Sequence, residues 1–174
     1  MEPIVIIMGA TGAGKSYQAQ TLADKHGWAH ISSGELLRQD TSLARFLEAG
    51  ELVPSPEVNR VVGAAVAAVD ANTKIVLDGY PRLVDEAEWF EAHGANGRMI
   101  QRVIWLEVSQ STVIERLAER HRSDDTQAAT AEKLSEFHAQ TQPVIERYEA
   151  VGLLVKLDGS LSREEVTKTI EAAL

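Results

Sequence analysis

The sequence predicts an α/β fold: a doubly wound, five-stranded parallel sheet with helices on both faces. Three observations predict it. Short apolar runs alternate with helix-period segments along the whole chain. The first run, 4–8, opens straight into Gly9-Ala10-Thr11-Gly12-Ala13-Gly14-Lys15-Ser16. That is the strand, glycine-rich loop and helix order of a phosphate-binding loop. Two further turns, Ser33-Gly34 and Asp78-Gly79, also follow strand candidates, at the strand ends where open parallel sheets bind ligands.

Taken in order, strand 4–8 is wholly apolar, as a strand covered on both faces should be. A helix over 15–26 follows and stops at Gly27. Residues 28–31 form a short strand candidate, and Ser32-Ser33-Gly34-Glu35 reads as a turn and N-cap. Leu36-Leu37-Arg38 begin a helix, and a second short one covers 41–48. The loop 50–56 carries Pro54 and Pro56, which forbid a long helix across it. From 57 to about 71, Val58, Val61, Val62, Ala65, Val66 and Val69 recur at helical spacing. Residues 74–78 are a buried-strand run ending in Asp78, and Pro81-Arg82 lead into a helix over about 83–93. The fourth strand is 101–108, and Ser109 caps a helix over 110–121. Polar residues 121–126 precede a long helix over 127–150, where Pro143 predicts a kink or break. Strand 153–157 and a helix capped by Ser162 complete the order.

At 174 residues, with 44% hydrophobic and 25% charged content, the chain can bury one core, so 1–174 is read as a single domain. A net charge of −9 argues against a nucleic-acid groove, which needs surplus Lys and Arg. The absence of cysteine excludes disulfides and a thiolate zinc site. No apolar run approaches the ~18 residues of a membrane span, and the front end reads as a strand rather than a signal peptide. A soluble, cytoplasmic protein with no membrane or nucleic-acid partner is therefore expected. The five histidines follow no ligand spacing, and Trp28, Trp89 and Trp105 read as packing residues.

The loop carries the clearest chemistry. Its glycines let backbone N–H groups converge on an anion, and the helix that follows adds its positive end. Lys15 would reach the outer phosphates and Ser16 would face Mg²⁺.

Further segments resemble adenylate kinases. Ile31-Ser32-Ser33-Gly34-Glu35-Leu36-Leu37-Arg38 is similar to their I-S-T-G-D-x-L-R segment, Gly50 to Pro54 to their G-x-L-V-P loop, and Leu77 to Arg82 to their L-D-G-[FY]-P-R signature. The similarity runs on through Arg116 to Arg120, Arg122 to Asp125 and Pro143 to Tyr148. It implies a P-loop nucleoside monophosphate kinase that moves the γ-phosphoryl of ATP to AMP with Mg²⁺, as a monomer. It also implies an NMP-binding insert at 32–72 and a short lid at about 120–132. On ATP it would place Gly9, Thr11, Gly12, Ala13, Gly14, Lys15, Ser16 and Tyr17, with Arg116 over the adenine and Arg120, Arg122 and Lys133 at the phosphates. On the acceptor nucleotide it would place Ser33, Gly34, Leu37, Leu52, Val53 and Gly79, with Arg38 and Arg82 on the phosphate. Asp78 would orient the water shell of Mg²⁺ together with Ser16, and Glu35 would join that network. Catalysis would fall to Lys15, Asp78, Arg82, Arg120 and Arg122.

The chain departs from the family in two places. One residue separates Arg120 from Arg122, so the lid should be minimal, and without cysteine it is not a zinc lid. Lys133 stands where the family usually has an arginine, keeping the charge without the bidentate fork. More consequential is Glu86, where adenylate kinases carry the glutamine that reads the acceptor adenine. A carboxylate accepts but does not donate, so it would face the lone pair of adenine N1 and could favour GMP, unless Glu86 is protonated, a water intervenes, or Glu86 simply faces solvent and another residue reads the base. The alternatives to an AMP kinase are thus a kinase selective for GMP or another monophosphate and, more distantly, a small-metabolite kinase or a nucleotide-binding regulatory protein.

Overall fold

Every residue of the first strand, β1 (Ile4–Gly9), is buried. Side chains alternate across a strand, so Ile4, Ile6 and Met8 enter one core layer while Val5 and Ile7 enter the other. The computed structural model describes the backbone of residues 1–49, 52–118 and 127–174, and the side chains of these other than 47, 118 and 127–136. After β1 come α1 (Lys15–His26), β2 (Ala29–Ser32), α2 (Ser33–Gln39), a 3₁₀ turn (Thr41–Leu43), α3 (Ala44–Ala49) and α4 (Ser55–Ala68). Then follow β3 (Ile75–Asp78), α5 (Val84–Trp89), one π-helical turn (Phe90–Gly94), β4 (Ile100–Glu107) and α6 (Gln110–Ala118). The chain ends with α7 (Gln127–Ala150), β5 (Leu154–Asp158) and α8 (Arg163–Ala173).

The five strands are all parallel, in the order β2-β3-β1-β4-β5. Leu22 of α1 with Val166 and Ile170 of α8 close one face. Val62 and Val66 of α4, Phe90 and, from α7, Val144 and Tyr148 close the other. Helices on both faces of a parallel sheet make the doubly wound architecture that the alternating pattern implied. No helix among the described residues is long and apolar enough to cross a membrane.

Local differences from the sequence reading have local causes. The helix α2 begins at Ser33, not Leu36, because Ser33 is buried and its Oγ donates to Asp78 O at 3.2 Å, drawing the turn into the helix. The helix expected from 57 begins earlier: α4 starts at Ser55, after Pro54 as its N-cap and with Pro56 in a first turn that has no use for its missing N–H. The break expected at Pro143 is absent, and α7 runs as one helix past it. Thr141 before the proline and Val144, Ile145 and Tyr148 after it are all buried, so packing on the sheet holds the helix across the lost hydrogen bond.

At the N-terminal edge of the sheet, Arg98 is only 5% exposed. Its Nη1 donates to Glu2 O and Thr73 O, and its Nη2 to Val69 O and Asp70 O, at 2.7 to 3.0 Å. One guanidinium thereby ties the approach to β4 to the ends of two other segments.

Candidate active site

The parallel register brings three strand ends to one edge: Ile7 lies beside Asp78, and Asp78 beside Ser32. The chain leaves β1 to one side for β2 and β3 and crosses to the other for β4 and β5. The loop after β1 therefore stands where the strand order reverses, the place for a ligand in such sheets. Gly9 begins that loop at φ +149°, and a Cβ there would lie 2.8 Å from Leu106 O of β4. No other residue lets the two backbones pass so closely.

Within the loop, Lys15 Nζ donates to Ala10 O at 2.9 Å, folding the ammonium back over its own turn. Ser16 Oγ donates to Asp78 Oδ2 at 2.6 Å. Asp78 is buried, and its Oδ1 has no partner among the described residues. His30 Nε2, likewise buried, stands 3.8 Å from Asp78 Oδ2, beyond hydrogen-bond reach. Burial pushes the Asp78 carboxyl up, but the His30 ring, the Lys15 ammonium and the Ser16 hydroxyl together outweigh it and hold the group below its usual range. An ionised carboxylate with one orphaned oxygen beside a hydroxyl is a hard-oxygen donor set, and it fits Mg²⁺.

Three adjoining cavities open along this edge. Across the central one, of about 190 Å³, Thr11, Gly12, Gly14, Lys15 and Ser16 face Ser33, Gly34 and Arg38 of the α2 region and Asp78, Gly79 and Arg82 after β3. Gly79 has φ +79°, and a Cβ on it would meet Ser33 Oγ at 2.9 Å. Arg82 Nε donates to Gly79 O at 3.0 Å, which aims the arginine along the turn. A second cavity, of about 370 Å³, is bounded by Gly12, Ala13, Gly14, Tyr17 and Arg116 on one side and Gly159, Leu161 and Arg163 on the other. Arg116 Nη1 donates to Gly159 O at 3.0 Å, and the Arg163 guanidinium lies 4.6 Å over the Tyr17 ring. The third, of about 140 Å³, has apolar walls from Leu37, Leu52, Val53 and Val58, with Glu86 and Gln140 among its polar residues.

Glu86 does not face solvent. It is 4% exposed, and its Oε2 accepts from Arg82 N at 2.7 Å and Leu83 N at 3.3 Å, closing the first turn of α5. Burial raises the Glu86 carboxyl above its ordinary value, against the pull of those two amides and of the Arg82 charge. The native state then holds this proton to a higher pH than the unfolded chain does. Stability contributed by the group is full below the unfolded value and falls as pH rises through the native one. Glu86→Gln keeps an oxygen for both amides and removes the titration, so its urea midpoint relative to the parent chain should climb as pH goes from 4 to 8. A constant difference across that range would refute the assignment.

Not every expected residue joins the site. Glu35 is exposed in the first turn of α2 and does not line the central cavity. Arg120, Arg122 and most of the lid at 120–132 lie outside the described residues, as does the side chain of Lys133. Sequence reasoning passed over His30, Gln140, Gly159, Leu161 and Arg163. His30 carried a signal, since it shares a strand face with Ser32, the residue beside Asp78. Gln140 carried none, because only the packing of α7 brings it to residues more than fifty positions earlier.

Comparison with known proteins agrees with this geometry. A family model described as Adenylate kinase matches residues 7–153. The chain is 38% identical to the adenylate kinase of Nocardia farcinica, over 98% of each chain. It is 36% identical to that of a Synechococcus species over the full length of both, and 33% identical to that of Natronomonas pharaonis over 99% of this chain and 97% of the relative. With its phosphate loop at the switch point of a five-stranded parallel sheet and a match that spans nearly its whole length, this chain belongs to the adenylate kinase family of phosphotransferases.

Proposed function

We propose that the protein is a nucleoside monophosphate kinase that transfers the γ-phosphoryl of ATP to AMP, ATP + AMP ⇌ 2 ADP. The central cavity carries this reading. It gathers Lys15, Ser16, Asp78, Arg38 and Arg82 around one space, with a further cavity on either side for a nucleoside. Such a transfer depends on positioning and on neutralising charge, and its acceptor is already an anion, so no general base is needed.

In this reading Lys15 leaves the Ala10 carbonyl and follows the charge of the moving phosphoryl. Arg38 and Arg82 hold the acceptor phosphate with forked donors. Arg116 borders the donor adenine, and Arg120, Arg122 and Lys133 complete the phosphate contacts from the lid. Ser16 would face Mg²⁺, and Asp78, with its orphaned Oδ1, would orient the water shell of the ion, which would neutralise charge on the phosphates of ATP. Residues 32–72 act as the acceptor-binding insert, which closes with the lid to exclude water. The protein works as a cytoplasmic monomer, a reading supported by the family resemblance and by a chain without cysteine.

A GMP-selective kinase is the second reading, favoured by one observation, the Glu86 carboxylate on the third cavity. A coupled assay with ATP·Mg²⁺ and AMP, GMP, CMP, UMP or dAMP decides between them. The expected result is the highest kcat/KM with AMP. A higher value with GMP selects the second reading, and no turnover of any monophosphate while ATP still binds removes both.

A further inference from the structure

We infer that the acceptor base is recognised by two side chains acting as a pair: Glu86 at the start of α5 accepts from it, and Gln140 of α7 donates to it. The inference rests on the third cavity being the acceptor-base site. Its walls from Leu37, Leu52, Val53 and Val58 suit the faces of a planar base. Glu86 is held by the amides of Arg82 and Leu83, both on Oε2, so this oxygen is committed to closing the helix. What Glu86 has left for a ligand is Oε1, an acceptor. The edge of adenine presents a donor at the exocyclic amine and an acceptor at N1. A carboxylate meets the first and repels the second, so Glu86 alone is a poor reader. Gln140 lines the same cavity from the opposite segment of the chain and carries an amide, with two N–H donors. Together the two side chains offer the one acceptor and one donor that the base edge needs, a task a single amide could perform by itself.

The test uses three variants of the full chain, each first checked to be folded at the assay temperature by a cooperative thermal transition above it. Gln140→Glu leaves two carboxylates and no donor, so kcat/KM for AMP should fall roughly 10- to 100-fold, mainly through KM, while KM for ATP stays put. Gln140→Met removes the amide without adding charge and should raise KM for AMP in the same direction. In Glu86→Gln/Gln140→Glu the amide and carboxylate have changed places, and most of the AMP affinity should return. A merely structural role for Gln140 would not be rescued by a change on α5. The pairing is overturned if Gln140→Glu keeps the parental KM for AMP, or if the double variant is no better than the single one. Absence of monophosphate turnover in the parent chain would instead overturn the kinase reading beneath it.

Discussion

Lys15→Met should lower kcat by roughly 10³-fold, the largest effect of any single substitution. Methionine keeps the length and apolar stem of lysine but removes the ammonium. In the structure that ammonium is parked on Ala10 O, a neutral carbonyl at the mouth of the phosphate loop. The bond is exchangeable, so its loss costs little stability, about 1 kcal/mol or less. The same ammonium belongs to the loop itself, and charge moving between two phosphates is greatest in the transition state. Its removal should therefore act on kcat more than on KM for ATP, since the backbone N–H groups of the loop and the positive end of α1 remain to bind the nucleotide. Steady-state kinetics together with the thermal shift produced by ATP separate the two effects. A variant that retains more than a tenth of parental kcat would show that the transferring charge is met elsewhere.

Arg98→Met should have the largest effect on stability and none on chemistry. Four carbonyls lose a charged donor at once, in a place where Arg98 is 5% exposed and water does not readily replace it. The buried Nε of Arg98 has no partner among the described residues, so the parent already bears a cost that the variant escapes. Hydrogen bonds to a charged group and the carbonyls stranded by their loss outweigh that relief, and the net loss should be about 3 kcal/mol. For a chain of this length that lowers the melting temperature by roughly 6 to 12 °C. Arg98 lines none of the three cavities of the candidate site, so kcat at 20 °C should match the parent. Calorimetry and the coupled assay on one preparation check both halves, and a fall in kcat without a fall in melting temperature would refute the assignment.

The sequence by itself determined the order of elements, the double burial of β1 and the phosphate loop. Each of these is local physics. An apolar run with polar punctuation, a period of 3.6, or a glycine demanded by a backbone turn acts within a few residues. The strand ends at Gly9, Ser32 and Asp78 follow from the same logic, because parallel pairing aligns them. The break expected at Pro143 does not occur, for a related reason. The rules that make proline a helix breaker are local, whereas α7 is held by Val144, Ile145 and Tyr148 against a sheet built from distant residues. Tertiary structure alone decided the surroundings of the chemistry. It turned Glu86 from a side chain with two open possibilities into a buried cap with one oxygen to spare. It set His30 beside Asp78, stacked Arg163 on Tyr17 and brought Gln140 to the cavity that Glu86 lines. Those relations join elements far apart in sequence, so their energies depend on packing and desolvation that arise only when the layers close.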